Sequence, residues 1–438
     1  MAKTSVLYVI SVCIICMLGW RVSANAFSVN APPEPSITLP QQITPFDVNV
    51  INNFPFGITV QISPVNDVIF EDLRLSYQIK GQANKTGYRI ADDPNAVPVE
   101  ITIESQRAGT YIPPGTTIYY SIEGLTSTGL SYESPESKIL YLDPGFTWST
   151  LSNDLSVIYY HGGPSSEEAN VTQQVITETA EFALPMFGHD PTEQFHLVLY
   201  ENYRDMEKVL PFRSDATSTH LMTQGMAFPE ERVAVIYAGT NTLKSTTAHE
   251  FMHLLLHDAV GRFHTRLPAW FDEGLAEFGN LYRANDYESP LREAISSKTD
   301  KSIKFLNTFS GSPEDIIAAY GKGASVVTYL ADTFGRNSFA DLIANFKASI
   351  SIEKALQATY DLSIDELEAA WAADRQADMA YPADDQVNPT KSKADQFPSR
   401  VTTEAPPSCS RSKERAPLDF ASVLLIVAPI ALFFRRGS

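Results

Sequence analysis

The chain has 438 residues, with 33 Lys and Arg against 52 Asp and Glu, and a formal net charge of −19. This acidic balance disfavours electrostatic binding to nucleic acid or to an anionic membrane surface, since both need clustered basic residues. The length allows two folded domains, because a single core rarely grows much beyond about 250–300 residues.

The N-terminal segment is typical of exported proteins. Residues 1–26 have a lysine near the start, an apolar run from Val6 to Trp20, and small residues at Ala24 and Ala26. This pattern predicts a signal peptide that is removed on export. The alternative is a retained N-terminal anchor, for which the apolar run is short.

The C-terminal segment also predicts a place in the cell envelope. Residues 381–417 are rich in Pro, Ser and charge, which predicts a disordered linker. Residues 418–438 contain an apolar run followed by Arg435 and Arg436, and they resemble the arginine-ended tails that bacterial envelope proteins carry for sorting and anchoring. We expect an exported protein at the cell surface, with a single-pass C-terminal anchor in the membrane and its folded part outside the cytoplasm.

Cysteine usage limits the kind of metal site. Cys13 and Cys16 lie in the predicted signal peptide and Cys409 lies in the predicted linker. The folded part therefore has no disulfide bond, and a metal ion there would be held by imidazole and carboxylate groups rather than by thiolates.

Residues 27–145 are predicted to form an all-β domain. Short runs of alternating, β-branched or aromatic residues are separated by turn residues such as Pro113-Pro114-Gly115. This spacing is typical of an immunoglobulin-like or fibronectin-like sandwich, which would serve as a spacer or a binding module. The predicted strands are 56–62, 73–79, 99–103, 116–122 and 138–142.

Residues 146–380 are predicted to form an α+β domain with a mostly helical C-terminal part, because strand patterns here alternate with longer helical ones. Pro268 is expected at the first position of a helix, and Ser363 begins a capping pattern with Glu366. The predicted strands are 196–200 and 233–238, and the predicted helices are 165–184, 245–257, 268–282, 313–333, 338–349 and 363–378.

The segment His249-Glu250-Phe251-Met252-His253 carries the pattern with the clearest chemistry. In a helix, a four-residue offset places both imidazoles on one face, where they can reach a single Zn²⁺ ion. Glu250 would project beside the metal and act as a general base toward a zinc-bound water.

A catalytic zinc site needs a third protein ligand, and Glu273 is the candidate. It lies in the helical pattern W-F-D-E-G-L-A-E-F, which follows a turn near 261–267 and can return across the first helix. Glu277, one turn further, would face the same site and accept the outer N–H of a ligating histidine. The alternative for Glu277 is a solvated glutamate on a helix surface.

The segments T-A-H-E-F-M-H and W-F-D-E-G-L-A-E-F resemble the gluzincins, the peptidase MA superfamily of thermolysin and the M1 aminopeptidases. The resemblance implies one zinc ion per chain bound by His249, His253 and Glu273, with Glu250 as general base. It extends to bacterial hydrolases of this group that have a β-sandwich ahead of the peptidase domain.

Ala319-Tyr320-Gly321-Lys322-Gly323-Ala324 resembles the Y-x-K-G-A segment of M1 enzymes. In those enzymes the tyrosine hydroxyl stabilises the oxyanion, which makes Tyr320 the candidate here. The alternative is a tyrosine that only packs in a helix.

Two motifs of known zinc peptidases are absent from this sequence, and their absence limits the activity that we predict. The G-x-M-E-N segment that binds a free amino terminus is absent, so residues 225–229 and 233–238 are expected to supply an edge strand that aligns an extended peptide. The third histidine of metzincins is also absent, and His257 is expected to support the site rather than to bind metal.

The sequence therefore predicts a zinc-dependent endopeptidase that acts on peptide or protein substrates. The alternatives are a surface adhesion or scaffold protein with a structural zincin-like domain, and a hydrolase of non-peptide amides.

Overall fold

The computed structural model describes residues 46–65, 68–80, 86–106, 111–162, 166–211 and 224–380. The predicted signal peptide, linker and C-terminal apolar segment lie outside these residues. Across the described ranges, no helix is both long and apolar enough to span a lipid bilayer. The membrane anchor therefore stays a prediction.

The N-terminal part, here called the β module (residues 46–141), consists of two antiparallel sheets. One sheet has the order β1-β2-β5, and the other has the order β4-β3-β6-β7 with β8 also paired to β6. All five predicted strands are present, and β1, β4 and β7 are additional. The strands are β1 (Phe46–Asn52), β2 (Gly57–Pro64), β3 (Phe70–Ile79), β4 (Thr86–Ile90), β5 (Val99–Glu104), β6 (Thr116–Thr126), β7 (Ser131–Glu133) and β8 (Ser137–Tyr141).

Alternating side chains from both sheets meet in one core. Val99, Ile101 and Ile103 of β5 are buried while the residues between them are not, as expected for a strand with one face on the core. Leu75 of β3 and Ile122 of β6 join the same core from the other sheet. The period of two in the sequence thus sets which face of each strand is buried.

A third sheet begins shortly after the β module. Its order is β12-β13-β11-β10-β9, in which β10, β11 and β13 are parallel and the edge strands β9 and β12 are antiparallel to their neighbours. Every residue of β11 is buried, as is typical of a strand covered on both faces. These strands are β9 (Trp148–Ser152), β10 (Ser156–His161), β11 (Phe195–Tyr200), β12 (Gly225–Phe228) and β13 (Val233–Tyr237).

The β module packs directly against this third sheet. His196 Nδ1 lies 2.7 Å from the carbonyl oxygen of Gly115, and the hydroxyl of Tyr111 donates to the carbonyl of Val209 over 2.6 Å. The ring of Tyr111 also packs against that of Phe228, with centroids 5.2 Å apart. The β module therefore contacts the edge strand β12 that borders the site described below.

Helices cover the other face of the third sheet and form the C-terminal part; the short helix Tyr203–Val209 instead packs on the face that the β module contacts. Helix α3 packs on β12 and β13, with α1 alongside it. The helices are α1 (Ser166–Phe187), α2 (Tyr203–Val209), α3 (Leu243–Val260), α4 (Ala269–Phe278), α5 (Glu288–Ser297), α6 (Pro313–Phe334), α7 (Ser338–Ser349), α8 (Ile352–Tyr360) and α9 (Ile364–Ala380).

The helix predicted at 268–282 is shorter in the structure. Pro268 has extended backbone (φ −74°, ψ 144°) and caps α4, so the expectation that it occupies the first helical position is wrong. The helix ends at Phe278, where Gly279 follows, a residue of low helix propensity. At α9, Ser363 and Glu366 form the predicted capping contacts. The short helices α2, α5 and α8 are additional to the prediction.

Candidate functional site

Helix α3 carries His249, Glu250 and His253 through the core of the helical C-terminal part. Every residue of this helix is buried except Lys244 and Asp258. A helix enclosed on all sides is typical of a core, and its polar side chains need partners within the protein. The neighbouring helix α4 supplies those partners.

The chain reverses sharply between α3 and α4. Gly261 adopts φ +67°, which ends α3, and a 3-10 helix at Gly261–Arg266 leads to Pro268 and α4. A positive φ at a helix end favours glycine because the Cβ atom of any other residue would crowd its own backbone there. The reversal places the acidic side chains of α4 opposite the histidines of α3.

Imidazole and carboxylate groups alternate between the two helices in what we call the His–carboxylate ladder. All of its members are buried, with exposed fractions of 0–8%. Among the described residues, no lysine or arginine forms an ion pair with any of its carboxylates. In spatial order the ladder consists of His257, Asp272, His253, Glu273, His249 and Glu277.

Three atoms converge at the centre of the ladder. Nε2 of His249 and Nε2 of His253 lie 3.1 Å apart, and Oε2 of Glu273 lies 3.3 Å from each of them. Ligands arranged tetrahedrally about 2.0–2.1 Å from a zinc ion are about 3.3–3.4 Å apart. The three atoms therefore have the spacing of three corners of a zinc coordination tetrahedron.

The outer contacts of the ladder indicate where the ring hydrogens lie. His253 Nδ1 is 2.8 Å from Asp272 Oδ1, and His249 Nδ1 is 2.7 Å from Glu277 Oε1. The second contact is bent away from hydrogen-bond geometry. A lone pair on either nitrogen would nonetheless repel the carboxylate at these distances, so hydrogen on Nδ1 is favoured in both rings.

With hydrogen on both Nδ1 atoms, the neutral rings direct Nε2 lone pairs at the centre of the ladder. Oε2 of Glu273 is buried there and accepts no hydrogen bond from any described residue, although it lies near both nitrogens. Three acceptor atoms that face one another repel each other unless positive charge, from a metal ion or from added protons on the imidazoles, lies between them. The donor set, two imidazole nitrogens and one carboxylate oxygen, fits zinc.

The local electrostatics favour positive charge at this centre. Burial opposes protonation of His249, but Glu277 and Glu273 outweigh it and raise its pKa to about 9. Burial also opposes protonation of His253, but Asp272 and Glu273 outweigh it and raise its pKa well above the usual value. Burial works against ionisation of Glu273, yet both imidazoles together hold its pKa below the usual range.

The side chain of Glu250 extends from α3 toward the edge strand β12. Burial raises the pKa of its carboxyl group to about 7, against the effect of the two histidines and of a hydrogen bond from the backbone of Ala227. A methyl group at Gly225 would lie 2.8 Å from Glu250 Oε1, so β12 approaches the carboxylate more closely than any side chain would allow. Oε1 of Glu250 is buried and has no hydrogen-bond partner within the described ranges.

Tyr320 of α6 lies on another side of the same centre. Its ring centroid is 6.5 Å from that of His249, and its ring is held between Tyr287, stacked at 5.5 Å, and Phe309, edge-on at 4.9 Å. Burial, with Glu273 next in importance, raises the pKa of Tyr320 well above 10, so the phenol keeps its proton.

Two glycines let α6 approach α4 closely enough to place Tyr320 there. A methyl group on Gly274 would lie 2.5 Å from the carbonyl oxygen of Gly323, and one on Gly323 would lie 2.6 Å from the carbonyl oxygen of Trp270. Such distances cannot accommodate a side chain on either helix. These glycines follow Glu273 and Lys322 directly, within the two motifs noted in the sequence.

The structure gathers every residue proposed for the site from the sequence. His249, His253 and Glu273 meet at the centre, Glu277 lies against His249, and Glu250 and Tyr320 border the same group. Sequence reasoning missed Asp272, which contacts both His253 and His257. The four-residue offset from His253 to His257 and an acidic residue next to Glu273 were the available signals.

Residues 175–377 match the family model of the Peptidase MA superfamily. This range contains every residue of the ladder together with Glu250 and Tyr320. This part of the chain is therefore similar to the Peptidase MA superfamily, and the resemblance noted in the sequence is confirmed. None of the curated proteins compared with the chain matches it.

The chain is also similar to several solved structures. One is an M1 zinc metallopeptidase from Deinococcus radiodurans, with 12% identity over 75% of this chain and 90% of that chain and a TM-score of 0.31. A mutant M1 zinc metallopeptidase from the same organism has 13% identity over 72% and 88% and a TM-score of 0.33. A mutant two-domain M1 zinc metallopeptidase bound to L-tryptophan has 12% identity over 75% and 90% and a TM-score of 0.34. Similarities this distant carry no argument about this chain.

Proposed function

We propose that the second domain is a zinc-dependent peptidase whose metal is held by His249, His253 and Glu273, one ion per chain. The observation that carries the proposal is the group of three buried acceptor atoms 3.1–3.3 Å apart. Two imidazoles and one carboxylate leave a fourth tetrahedral position for water or substrate, as in catalytic rather than structural zinc sites.

Zinc, when bound, supplies Lewis-acid chemistry: it polarises a carbonyl group and makes a water molecule more acidic. Glu250 accepts the proton of the attacking water through Oε1, the buried oxygen that has no other partner among the described residues. It then delivers that proton to the leaving nitrogen of the peptide bond, so the carboxylate is regenerated after each turnover. No covalent intermediate with the enzyme is needed.

Tyr320 stabilises the charge that develops on the carbonyl oxygen. A hydrogen-bond donor contributes most when it is fixed before the reaction in a site that excludes water. Tyr320 is 3% exposed and its ring is held on two sides by Tyr287 and Phe309. Its high pKa keeps the proton available for donation.

We propose that the enzyme is an endopeptidase. Strand β12, next to Glu250, consists of Gly225, Met226, Ala227 and Phe228, and none of these side chains is charged. A strand of this kind can pair with an extended peptide through its backbone, but it has no carboxylate to bind a free amino terminus. Recognition of internal peptide bonds is therefore favoured.

The rest of the chain is proposed to display this domain at the cell surface. The sheet orders β1-β2-β5 and β4-β3-β6-β7 support an immunoglobulin-like or fibronectin-like sandwich for residues 27–145. Residues 146–380 are then the peptidase domain. Export and a C-terminal anchor remain proposals from the sequence of the two ends.

The proposed function is tested by incubating the zinc-loaded protein with a peptide library and identifying the products by mass spectrometry. We expect cleavage at internal bonds, its loss on chelation, and its return when zinc is added. The matched variant is Glu250→Gln, which keeps the size of the side chain but removes the base. Its rate of hydrolysis should fall by about 10²–10⁴-fold while its zinc content stays at the wild-type level.

Two results would count against the proposal. A Glu250→Gln variant with wild-type activity would exclude the general-base mechanism. A wild-type protein that binds zinc but cleaves no peptide would instead favour a surface adhesion or scaffold protein, or a hydrolase of other amides.

A further inference from the structure

The outer end of the ladder lies beyond the residues used in the proposed reaction. We propose that His257 is a positioning residue for the metal ligand His253 and acts on it through Asp272. The inference rests on the proposed metal site, but it concerns how firmly the metal is held rather than which bond is cleaved.

Asp272 connects the two histidines through its two oxygens. Oδ1 is 2.8 Å from Nδ1 of His253, and Oδ2 is 2.8 Å from Nε2 of His257. The histidines lie four residues apart on one face of α3, and Asp272 lies on α4 directly before the third ligand, Glu273. The carboxylate is therefore held at both oxygens by the helix that carries the two metal-binding imidazoles.

Both contacts are needed to fix this carboxylate. Asp272 is 8% exposed, so an oxygen without a donor would lose the hydration that it has in water. With a single donor, its carboxylate could rotate about its Cβ–Cγ bond and move Oδ1 away from His253. His257 occupies the second oxygen and prevents that rotation.

The orientation of His253 depends on Oδ1 of Asp272. A hydrogen on Nδ1 that is donated to a carboxylate leaves the Nε2 lone pair directed at the metal and makes that nitrogen a better ligand. In His257 the corresponding hydrogen is on Nε2. Its Nδ1 is buried and has no hydrogen-bond partner in the part of the chain described. The polar contact of the His257 ring is therefore the one between Nε2 and Asp272.

The position of His257 is fixed from the other side by packing. Its ring stacks on that of His264, with centroids 4.9 Å apart and an interplanar angle of 26°. His264 comes from the 3-10 helix at Gly261–Arg266, the segment that reverses the chain between α3 and α4. The turn that brings the two helices together therefore also holds the end of the ladder.

The test measures how fast zinc leaves the full-length protein, using a chromophoric chelator in excess. In His257→Leu, zinc should leave about 10-fold faster, the lower end of the 10–100-fold cost of losing a bond directly to a ligand. His257→Gln offers an amide N–H near the original Nε2 and should restore most of the loss. His257→Asn carries the same amide one methylene shorter and should behave like the leucine variant. If the leucine variant does not fold, the comparison of the Gln and Asn variants still tests the inference.

A spectroscopic readout separates positioning from a general loss of stability. With Co²⁺ in place of zinc, His257→Leu should change the visible absorption of the ion, whereas His257→Gln should preserve it. The matched control is His161→Leu in β10, since His161 is as buried as His257 (4% against 7% exposed) but packs against Phe146 and Tyr200 instead of the ladder. This control should leave both readouts unchanged.

Equal zinc dissociation in the wild type and in His257→Leu would overturn the inference, as would the same dissociation rate in the Gln and Asn variants. Neither result would affect the proposed peptidase, which is judged by hydrolysis. Conversely, a protein that holds zinc as expected but cleaves no peptide would contradict the proposed function and leave the role of His257 intact.

Discussion

Two buried clusters of charged groups lie close together in the second domain, and they are neutralised in different ways. In the first, Nζ of Lys322 lies 2.9 Å from Asp300, 2.7 Å from Glu368 and 2.6 Å from the carbonyl oxygen of Lys301, and 4.9 Å from the centre of the Trp371 ring. Lys322 is 1% exposed. The protein supplies the cation of this cluster itself.

The second cluster is the His–carboxylate ladder. Its carboxylates are paired only with imidazoles among the described residues, and at its centre Glu273, His249 and His253 present three acceptor atoms to one another. Lys322 belongs to the first cluster, and Tyr320, two residues earlier on α6, lies beside the ladder. Burial of charge therefore does not by itself indicate a metal site; the indicator is a set of acceptors that no side-chain cation satisfies.

The first way to test this comparison is to remove the internal cation. Lys322→Met keeps most of the aliphatic stem but leaves Asp300 and Glu368 without their partner. We expect the free energy of unfolding in urea to fall by about 3 kcal/mol, at the lower end for a broken buried pair because the two acidic side chains are still 26% and 21% exposed. The folded variant should bind zinc like the wild type.

The matched control is Lys304→Met, which breaks the exposed pair with Asp365 at 2.9 Å. Solvent screens that pair, so the free energy of unfolding should hardly change. Equal stability of both variants would mean that the Lys322 cluster does not contribute to the fold. A loss of zinc binding in a folded Lys322→Met variant would mean that the two clusters are not independent.

An effect on catalysis rather than on stability is expected from Tyr320, the residue of α6 whose ring lies near His249. In Tyr320→Phe the ring remains between Tyr287 and Phe309, but the hydroxyl is lost. We expect kcat for peptide hydrolysis to fall by about 10²–10³-fold, as when one oxyanion donor is removed, with little change in KM or in zinc content.

Tyr287→Phe provides the control for this prediction. It removes a neighbouring hydroxyl, which accepts a hydrogen bond from Asn285, and keeps the stacked ring. Its kcat should change far less than that of Tyr320→Phe. Similar losses in the two variants would assign the effect to packing of the rings rather than to a hydroxyl at the oxyanion.

Local sequence patterns predicted the parts of the site that depend on a single helix. The four-residue offset of His249 and His253 places both on one face of α3 whatever surrounds it. Glu273 and Glu277 follow the same rule on α4. The period of two likewise predicted five strands of the β module. Each of these predictions depends only on residues that are close together in the sequence, within one helix or one strand.

The features that were missed depend on contacts between distant segments. Asp272 gains its role only when α4 crosses α3, and the partners of Lys322 come from positions 300 and 368, far from it in the sequence. The close approach of Gly274 and Gly323 also follows from the packing of two helices. Periodicity within a segment carries no information about such pairings, which tertiary structure determines.

The most direct test of the central proposal compares two glutamates that are equally buried beside the same histidines, Glu250 and Glu273 (1% and 4% exposed). Zinc content is measured after dialysis for the wild type, Glu250→Gln and Glu273→Gln. The proposed site predicts one zinc per chain in the first two. In Glu273→Gln the affinity should fall by more than the roughly 10–100-fold cost of losing an outer hydrogen bond, because a ligand itself is lost. Wild-type zinc content in Glu273→Gln, or no zinc in the wild type, would contradict it.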